Sequence, residues 1–200
     1  MMIDPALYRR VDRPLCAIVT GAANGNGAAF ARALSARGAS LVIADCDEVA
    51  LARLRPEIGA TAVRCDILDE RSVGNLFTVA EEVLGHVDLL INAAGNGYIR
   101  TLGVLRASRE FARRPRTERA FIVNLAAQSD PGTVGFEYAG SRIAFSRLSE
   151  GLARAIENDE LKVFTIDRIE EDSAISDLAE QLVGQLTVVS SEAKGDVAQG

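Results

Sequence analysis

Apolar positions along this chain follow two alternating patterns. Short, nearly unbroken apolar runs at 15–20, 40–45, 60–65, 87–91, 120–125 and 161–166 predict strands buried on both faces. Between them, apolar residues recur at helical spacing over 25–37, 47–55, 69–84, 101–113, 137–157 and 174–184. In the third of these, Val73, Leu76, Phe77, Ala80, Val83 and Leu84 fall on one face. Asp47 reads as the cap of the second helix, and Pro56 as the residue that ends it. A further apolar stretch at 185–190 suggests a seventh strand. Residues 1–13 read as an arm and 191–200 as a polar, small-residue tail.

Strand and helix in strict alternation predict an α/β fold, a doubly wound parallel sheet with helices on both faces. The two-halved nucleotide-binding plan gives the strand order 3-2-1-4-5-6, within a single domain spanning 1–200. A ligand on such a sheet lies at its carboxyl edge, where the order reverses between strands 1 and 4. Gly21, Asp45, Asp66, Asn92 and Gly95 each follow a strand end and converge there.

The densest chemical signal is Thr20 to Gly27, T-G-A-A-N-G-N-G, set between the first strand and an Ala-rich helix. Gly21 permits the tight turn, Gly25 a close approach of backbone to ligand, and Gly27 tight packing of helix on strand. The free N–H groups and positive dipole end of the helix suit a pyrophosphate. Asp45 stands at the end of the next strand, 18 positions beyond Gly27 (45 − 27). A carboxylate there accepts from adenosine ribose hydroxyls and repels a 2′-phosphate, which favours NAD over NADP. The alternative is a glycine turn that serves the sheet alone.

Composition narrows the classes. Hydrophobic residues make up 48% and charged residues 25%, as in globular proteins. A net charge of −6 argues against a nucleic-acid partner. No apolar run reaches the ~20 residues of a membrane span, and 1–14 lacks a signal-peptide core, so a cytoplasmic location is expected. Cys16, Cys46 and Cys65 show no metal-binding spacing and read as thiols in a reducing compartment. His86, the single histidine, reads as a turn residue, so no metal site is expected.

T-G-x-x-x-G-x-G resembles the glycine motif of the short-chain dehydrogenase/reductase family. Asn92-Ala93-Ala94-Gly95 is similar to its N-N-A-G, Asp66-Ile67 to its Asp-hydrophobic pair after strand 3, and Tyr138-x-x-x-Arg142 to its Y-x-x-x-K. The likeness runs from about residue 14 to residue 167. It implies an oxidoreductase that moves hydride between nicotinamide and an alcohol or ketone. By this resemblance Gly21, Asn24, Gly25, Gly27, Asp45, Asp66, Ile67, Asn92, Ala93, Gly95, Tyr138 and Arg142 hold the cofactor. Tyr138 is the implied general acid/base, and Arg142 takes the place of the lysine that lowers its pKa.

The chain departs from the family in its second half. Both serines expected after strand 5 are alanines, Ala126 and Ala127, which leaves Ser129 as the nearest hydroxyl. Arginine at 142 keeps the positive charge but does not release a proton, and its fork differs in shape. The stretch from Asn92 to Asn124 is shorter than in the family, and the substrate-covering region after Asp167 is reduced. Two functions remain open at this stage. One is an NAD-dependent oxidoreductase with an altered active site. The other is an inactive NAD(H)-binding protein that acts as sensor or partner subunit. A homodimer through helices 101–113 and 137–157 is expected by resemblance. Tyr138 as a packed aromatic, Arg142 as a surface cation, Asp66 as a turn cap and Asn92 as a backbone support are the corresponding structural readings.

Overall fold

The computed structural model describes residues 13–94, 97–115, 120–125, 136–156, 158, 160–166 and 177, with the backbone alone for 97–100, 136–139, 141 and 142. The expected helix at 174–184, the strand at 185–190, the first twelve residues of the arm at 1–13 and the tail lie outside the described residues, apart from helical Asp177.

The strands are β1 (Cys16–Thr20), β2 (Ser40–Asp45), β3 (Thr61–Arg64), β4 (Leu89–Asn92), β5 (Ala120–Leu125) and β6 (Leu161–Ile166). They form one parallel sheet in the order β3-β2-β1-β4-β5-β6, as the sequence predicts. The helices between them are α1 (Gly25–Ser35), α2 (Glu48–Ile58), α3 (Glu70–Leu84), α4 (Gly97–Arg113) and α5 (Phe136–Ile156).

The unbroken apolar runs are explained by a sheet covered on both faces. Successive side chains alternate faces. Ala17, Val19, Leu41, Ile43, Leu89 and Ile91 pack with Phe30, Ala31 and Leu34 of α1 and with Leu51 and Leu54 of α2. Ile18, Val42, Leu90 and Ile122 face the other way, onto Val73, Leu76 and Phe77 of α3 and Ala107 and Phe111 of α4. Phe30, Leu34 and Leu76 are fully buried. Each such side chain contributes ~1.5–3 kcal/mol relative to exposure. Val104, Phe145 and Leu152 form a smaller cluster that seals α4 against α5.

Two helix boundaries differ from the sequence expectation by three residues or more. Helix α2 does not stop before Pro56 but runs through it to Ile58, and Gly59 closes it in the left-handed region at φ 64°. Proline's fixed φ suits a helix, so the loss is confined to a hydrogen bond and local crowding. Tertiary contacts hold the last turn. Arg32 donates to Glu57 Oε1 at 2.6 Å, and Ser35 Oγ donates to the carbonyl of Ile58 at 2.9 Å. Helix α4 starts at Gly97, not 101. A glycine weakens a helix interior, but in the first turn its N–H has no intrahelical partner to lose. The buried stripe Thr101, Val104, Ala107, Ser108 and Phe111 then fixes the helix on the sheet.

Candidate functional site

The carboxyl ends of β1, β2, β3 and β4 form one edge, and the glycine turn lies across its centre. Gly21 sits at φ 70°, a conformation that residues with a Cβ rarely adopt. A Cβ there would lie 2.4 Å from Cα of Ala94, so the turn rests directly on the chain leaving β4. Gly27 has the tightest neighbour, since its Cβ would stand 2.0 Å from the carbonyl oxygen of Gly21. Only a hydrogen at Gly27 lets α1 begin this close to the turn. Gly25, at φ 54°, differs from both, because a Cβ there would meet nothing within 4 Å. Two glycines are thus demanded by packing, and the one between them borders open space.

The start of α1 is electrostatically bare. Asn24 occupies the cap position without a side-chain hydrogen bond to the helix, and no acidic residue lies in the first turn. The other helix starts nearby are filled. Asp47 caps α2 by accepting from the Ala50 amide, and Asp69 caps α3 by accepting from the amides of Arg71 and Ser72. Each of those helices also carries a glutamate in its first turn, Glu48 and Glu70. Orphan amides, a positive dipole end and open space at Gly25 fit an anionic group such as a pyrophosphate.

Asp45, the last residue of β2, lies beside this turn. Its Oδ2 accepts from the Ala23 amide at 3.1 Å, and its Oδ1 accepts from the Asp47 amide at 3.1 Å. The carboxylate is partly exposed and has lone pairs left for hydroxyl donors. The exposed Cys46 thiol donates to Asp45 Oδ1 at 3.4 Å. That hydrogen bond, followed by desolvation and the carboxylate's charge, pushes the Cys46 pKa up.

Asp66 follows β3 and is exposed; its Oδ1 accepts from the Leu68 amide at 2.8 Å and shapes the turn into α3. Ile67 is buried beneath α4, where a Cβ on Gly103 would strike its Cδ1 at 2.3 Å. Asn92 ends β4 fully buried. Its Nδ2 donates to Asn124 Oδ1 of β5 at 2.9 Å and to Ser108 Oγ of α4 at 3.1 Å. Asn92 Oδ1 and Asn124 Nδ2 have no partner. This polar link under the edge, together with Gly103, is missed by the sequence reading. A polar residue at a core position of a strand and of a helix is the signal that could have found it.

The structure thus brings Gly21, Asn24, Gly25, Gly27, Asp45, Asp66, Ile67, Asn92 and Ala93 to one edge. The backbone of α5 sets positions 138 and 142 one helical turn apart, on the same face. The side chains of Tyr138 and Arg142, and all of Gly95 and Ser129, lie outside the described residues.

A model of the short chain dehydrogenase family matches residues 15–169. Over 83 residues the chain is 47% identical to the cis-4-hydroxycyclohexanecarboxylate dehydrogenase of Sinomonas cyclohexanicum, covering 40% of this chain and 33% of that protein. Across the curated relatives matched at 40% identity or more, the similar stretch spans about a third of their length. Among solved structures, a hydroxysteroid dehydrogenase from Escherichia coli superposes with a TM-score of 0.73 over 92% of both chains, at 23% identity. A short chain dehydrogenase/reductase from Burkholderia phymatum, solved in complex with NAD, superposes with a TM-score of 0.69 over 88% of this chain and 80% of that one, at 26% identity.

Proposed function

This chain belongs to the short chain dehydrogenase family, and from that premise we propose that it is an NAD-dependent oxidoreductase acting on an alcohol or ketone. The observation that carries the reading is the bare start of α1 at Gly25 with the Asp45 carboxylate beside it. In this reading Gly21, Asn24, Gly25 and Gly27 form the pyrophosphate cradle, and Asp45 holds the adenosine ribose. Asp66 and Ile67 border the adenine, and Asn92, Ala93 and Gly95 floor the passage toward the nicotinamide. The cofactor, when bound, supplies or accepts the hydride.

The remaining chemistry belongs to the chain. Tyr138 donates its phenolic proton to the carbonyl oxygen during reduction and recovers it from solvent. In oxidation it removes the alcohol proton. Its ordinary pKa of ~10 is too high for that work near neutrality. Arg142, one turn along α5, supplies a cation that favours the phenolate. Ser129, two positions beyond Ala127, takes the role of orienting the substrate oxygen in this reading, which requires a loop shaped differently from the family's. Single-turnover oxidation of NADH with a panel of ketones tests the reading. Turnover that Tyr138→Phe lowers at least ~100-fold is expected; no turnover with any ketone refutes it.

A second reading is favoured by Ala126, Ala127 and Arg142, which stand where the family's serines and lysine are expected. In it the chain binds NAD(H) without turnover, as a sensor or a partner subunit. Calorimetry separates the two readings: micromolar NAD(H) binding with no oxidation of NADH selects the second. The proposed homodimer through α4 and α5 is checked by sedimentation, where a monomer at high concentration removes it.

A further inference from the structure

The opposite, amino edge of the sheet carries a second cluster of reactive side chains. Cys16 begins β1, and His86 and Asp88 lie in the turn between α3 and β4. One ligand atom from each lies within 4.8 Å of the other two. We propose that Cys16, His86 and Asp88 form a binding site for a divalent transition-metal ion, zinc by its donor set.

A thiolate, an imidazole and a carboxylate are the three donor types zinc takes, and the sulfur disfavours calcium or magnesium. Tetrahedral zinc bonds of ~2.0–2.3 Å separate neighbouring ligand atoms by about 3.5 Å. His86 Nε2 and Asp88 Oδ2 already stand 3.3 Å apart. Those two atoms stand at ion-pair distance but make no hydrogen bond, and Nε2 is shielded from water. A nitrogen left in that state is matched by a ligand to be received. The two segments that carry the ligands are joined through backbone groups, not by the three side chains alone. The Asp88 amide donates to the Cys16 carbonyl at 2.8 Å, and the Cys16 amide donates to Asp88 Oδ2 at 3.0 Å.

Arg13 is the occupant a metal must displace. Its guanidinium grips both oxygens of Asp88 at 2.8 Å. Binding requires it to give up Asp88 Oδ2, while Oδ1 can stay with the arginine as an outer partner that orients the carboxylate. Cys16 releases its thiol proton to solvent, and water fills the fourth position. An entry path exists, because a 570 Å³ cavity opens on His86, Asp88 and Arg13. Cys16 stands about seventy positions before His86 and Asp88, so no spacing motif announces the set; the parallel pairing of β1 with β4 assembles it. An ion here fastens the start of β1 to the α3–β4 turn, at the edge remote from the proposed cofactor.

Cobalt titration of the full chain tests the site, because a cobalt–thiolate bond has its own charge-transfer absorption. The expected result is that band saturating at one equivalent and being bleached by zinc. Cys16→Ser abolishes it, and His86→Ala weakens binding at least ~100-fold. Cys46→Ser leaves it intact. His86 is partly exposed in a turn, so its alanine variant keeps its metal-free melting temperature while losing the rise that zinc gives the parent chain. Absence of the band, a band that survives Cys16→Ser, or a His86→Ala protein that saturates at the parent's cobalt concentration overturns the proposal. A band lost with Cys46→Ser overturns it too, by placing the metal at the other edge.

Discussion

Asp45 and Ala23 are joined by a hydrogen bond: Asp45 Oδ2, at the end of β2, accepts from the Ala23 amide inside the glycine turn at 3.1 Å. The acid that is proposed to select the ribose therefore also holds the turn that is proposed to bind the pyrophosphate. The two halves of the dinucleotide cradle cannot shift independently. A charge-assisted hydrogen bond of this kind contributes ~1.5–3 kcal/mol.

Asp45→Ala is expected to weaken NADH binding at least ~10-fold, since ~1.4 kcal/mol is a factor of ten. It removes the ribose acceptor and loosens the turn together. NADPH binding is expected to change less, because the lost carboxylate also opposed the 2′-phosphate. Calorimetric titration with both cofactors checks this. Equal losses for the two would show that Asp45 serves only the turn.

Gly25 and Gly27 of the turn should respond differently to one added methyl group. Gly27→Ala drives a Cβ to within 2.0 Å of a backbone oxygen, so α1 must shift, and a loss of ~1–3 kcal/mol in stability follows. Gly25→Ala meets no neighbour and carries only the strain of its φ of 54°, about 1 kcal/mol. Yet Gly25 borders the proposed phosphate space, so its alanine should abolish cofactor binding in a folded protein. Denaturant melts beside NADH titrations separate the cases. A stable Gly25→Ala protein that binds NADH normally would remove Gly25 from the cradle.

The sheet order was legible because its causes are local and repeated: six apolar runs, each followed by a helical pattern. The positions of Gly21, Asp45, Asp66 and Asn92 came with it, since Asp45 and Asn92 close their strands and Gly21 and Asp66 come just after theirs. What escaped depends on contacts between distant segments. Pro56 stays helical because Glu57 and Ile58 are tied to α1. Gly103 has meaning only against Ile67, and Ser108 only against Asn92. Cys16 and His86 read separately as a buried thiol and a turn residue, and strand pairing alone makes them neighbours. Propensity and spacing carry no information about such meetings.

Asn92→Ala should destabilise the fold without touching the edge's outer surface. It strips the donor from Asn124 Oδ1 and Ser108 Oγ, both buried, and leaves a cavity between β4, β5 and α4. An unsatisfied buried polar group costs ~1–3 kcal/mol. In a chain of this size 1 kcal/mol moves the melting temperature by ~2–4 °C, so a fall of several degrees is expected in calorimetry. An unchanged melting temperature would show that the amide link contributes nothing.

The thiols give a readout of the Asp45 carboxylate in solution. Cys46 is exposed, whereas Cys16 and Cys65 are buried, so iodoacetamide should label Cys46 alone in the native protein. The hydrogen bond to Asp45 raises the Cys46 pKa, with desolvation and the carboxylate's charge adding to it. A raised pKa means less thiolate at any given pH, and thiolate is the nucleophile. Alkylation near pH 8 should therefore run slower than for an unstructured cysteine and climb only at higher pH. Asp45→Asn removes the anion, lowers the thiol pKa and shifts the rate profile toward neutral pH. Burial likewise raises the Cys65 pKa. The folded state then holds that proton more firmly than the unfolded one, so the contribution to stability is full below about pH 8.5 and falls as pH rises through the folded pKa. Mass-spectrometric labelling across pH, with and without saturating NADH, checks both points. If NADH leaves the Cys46 rate unchanged, the proposed ribose contact at Asp45 is wrong, because a ligand on that carboxylate must alter the thiol beside it.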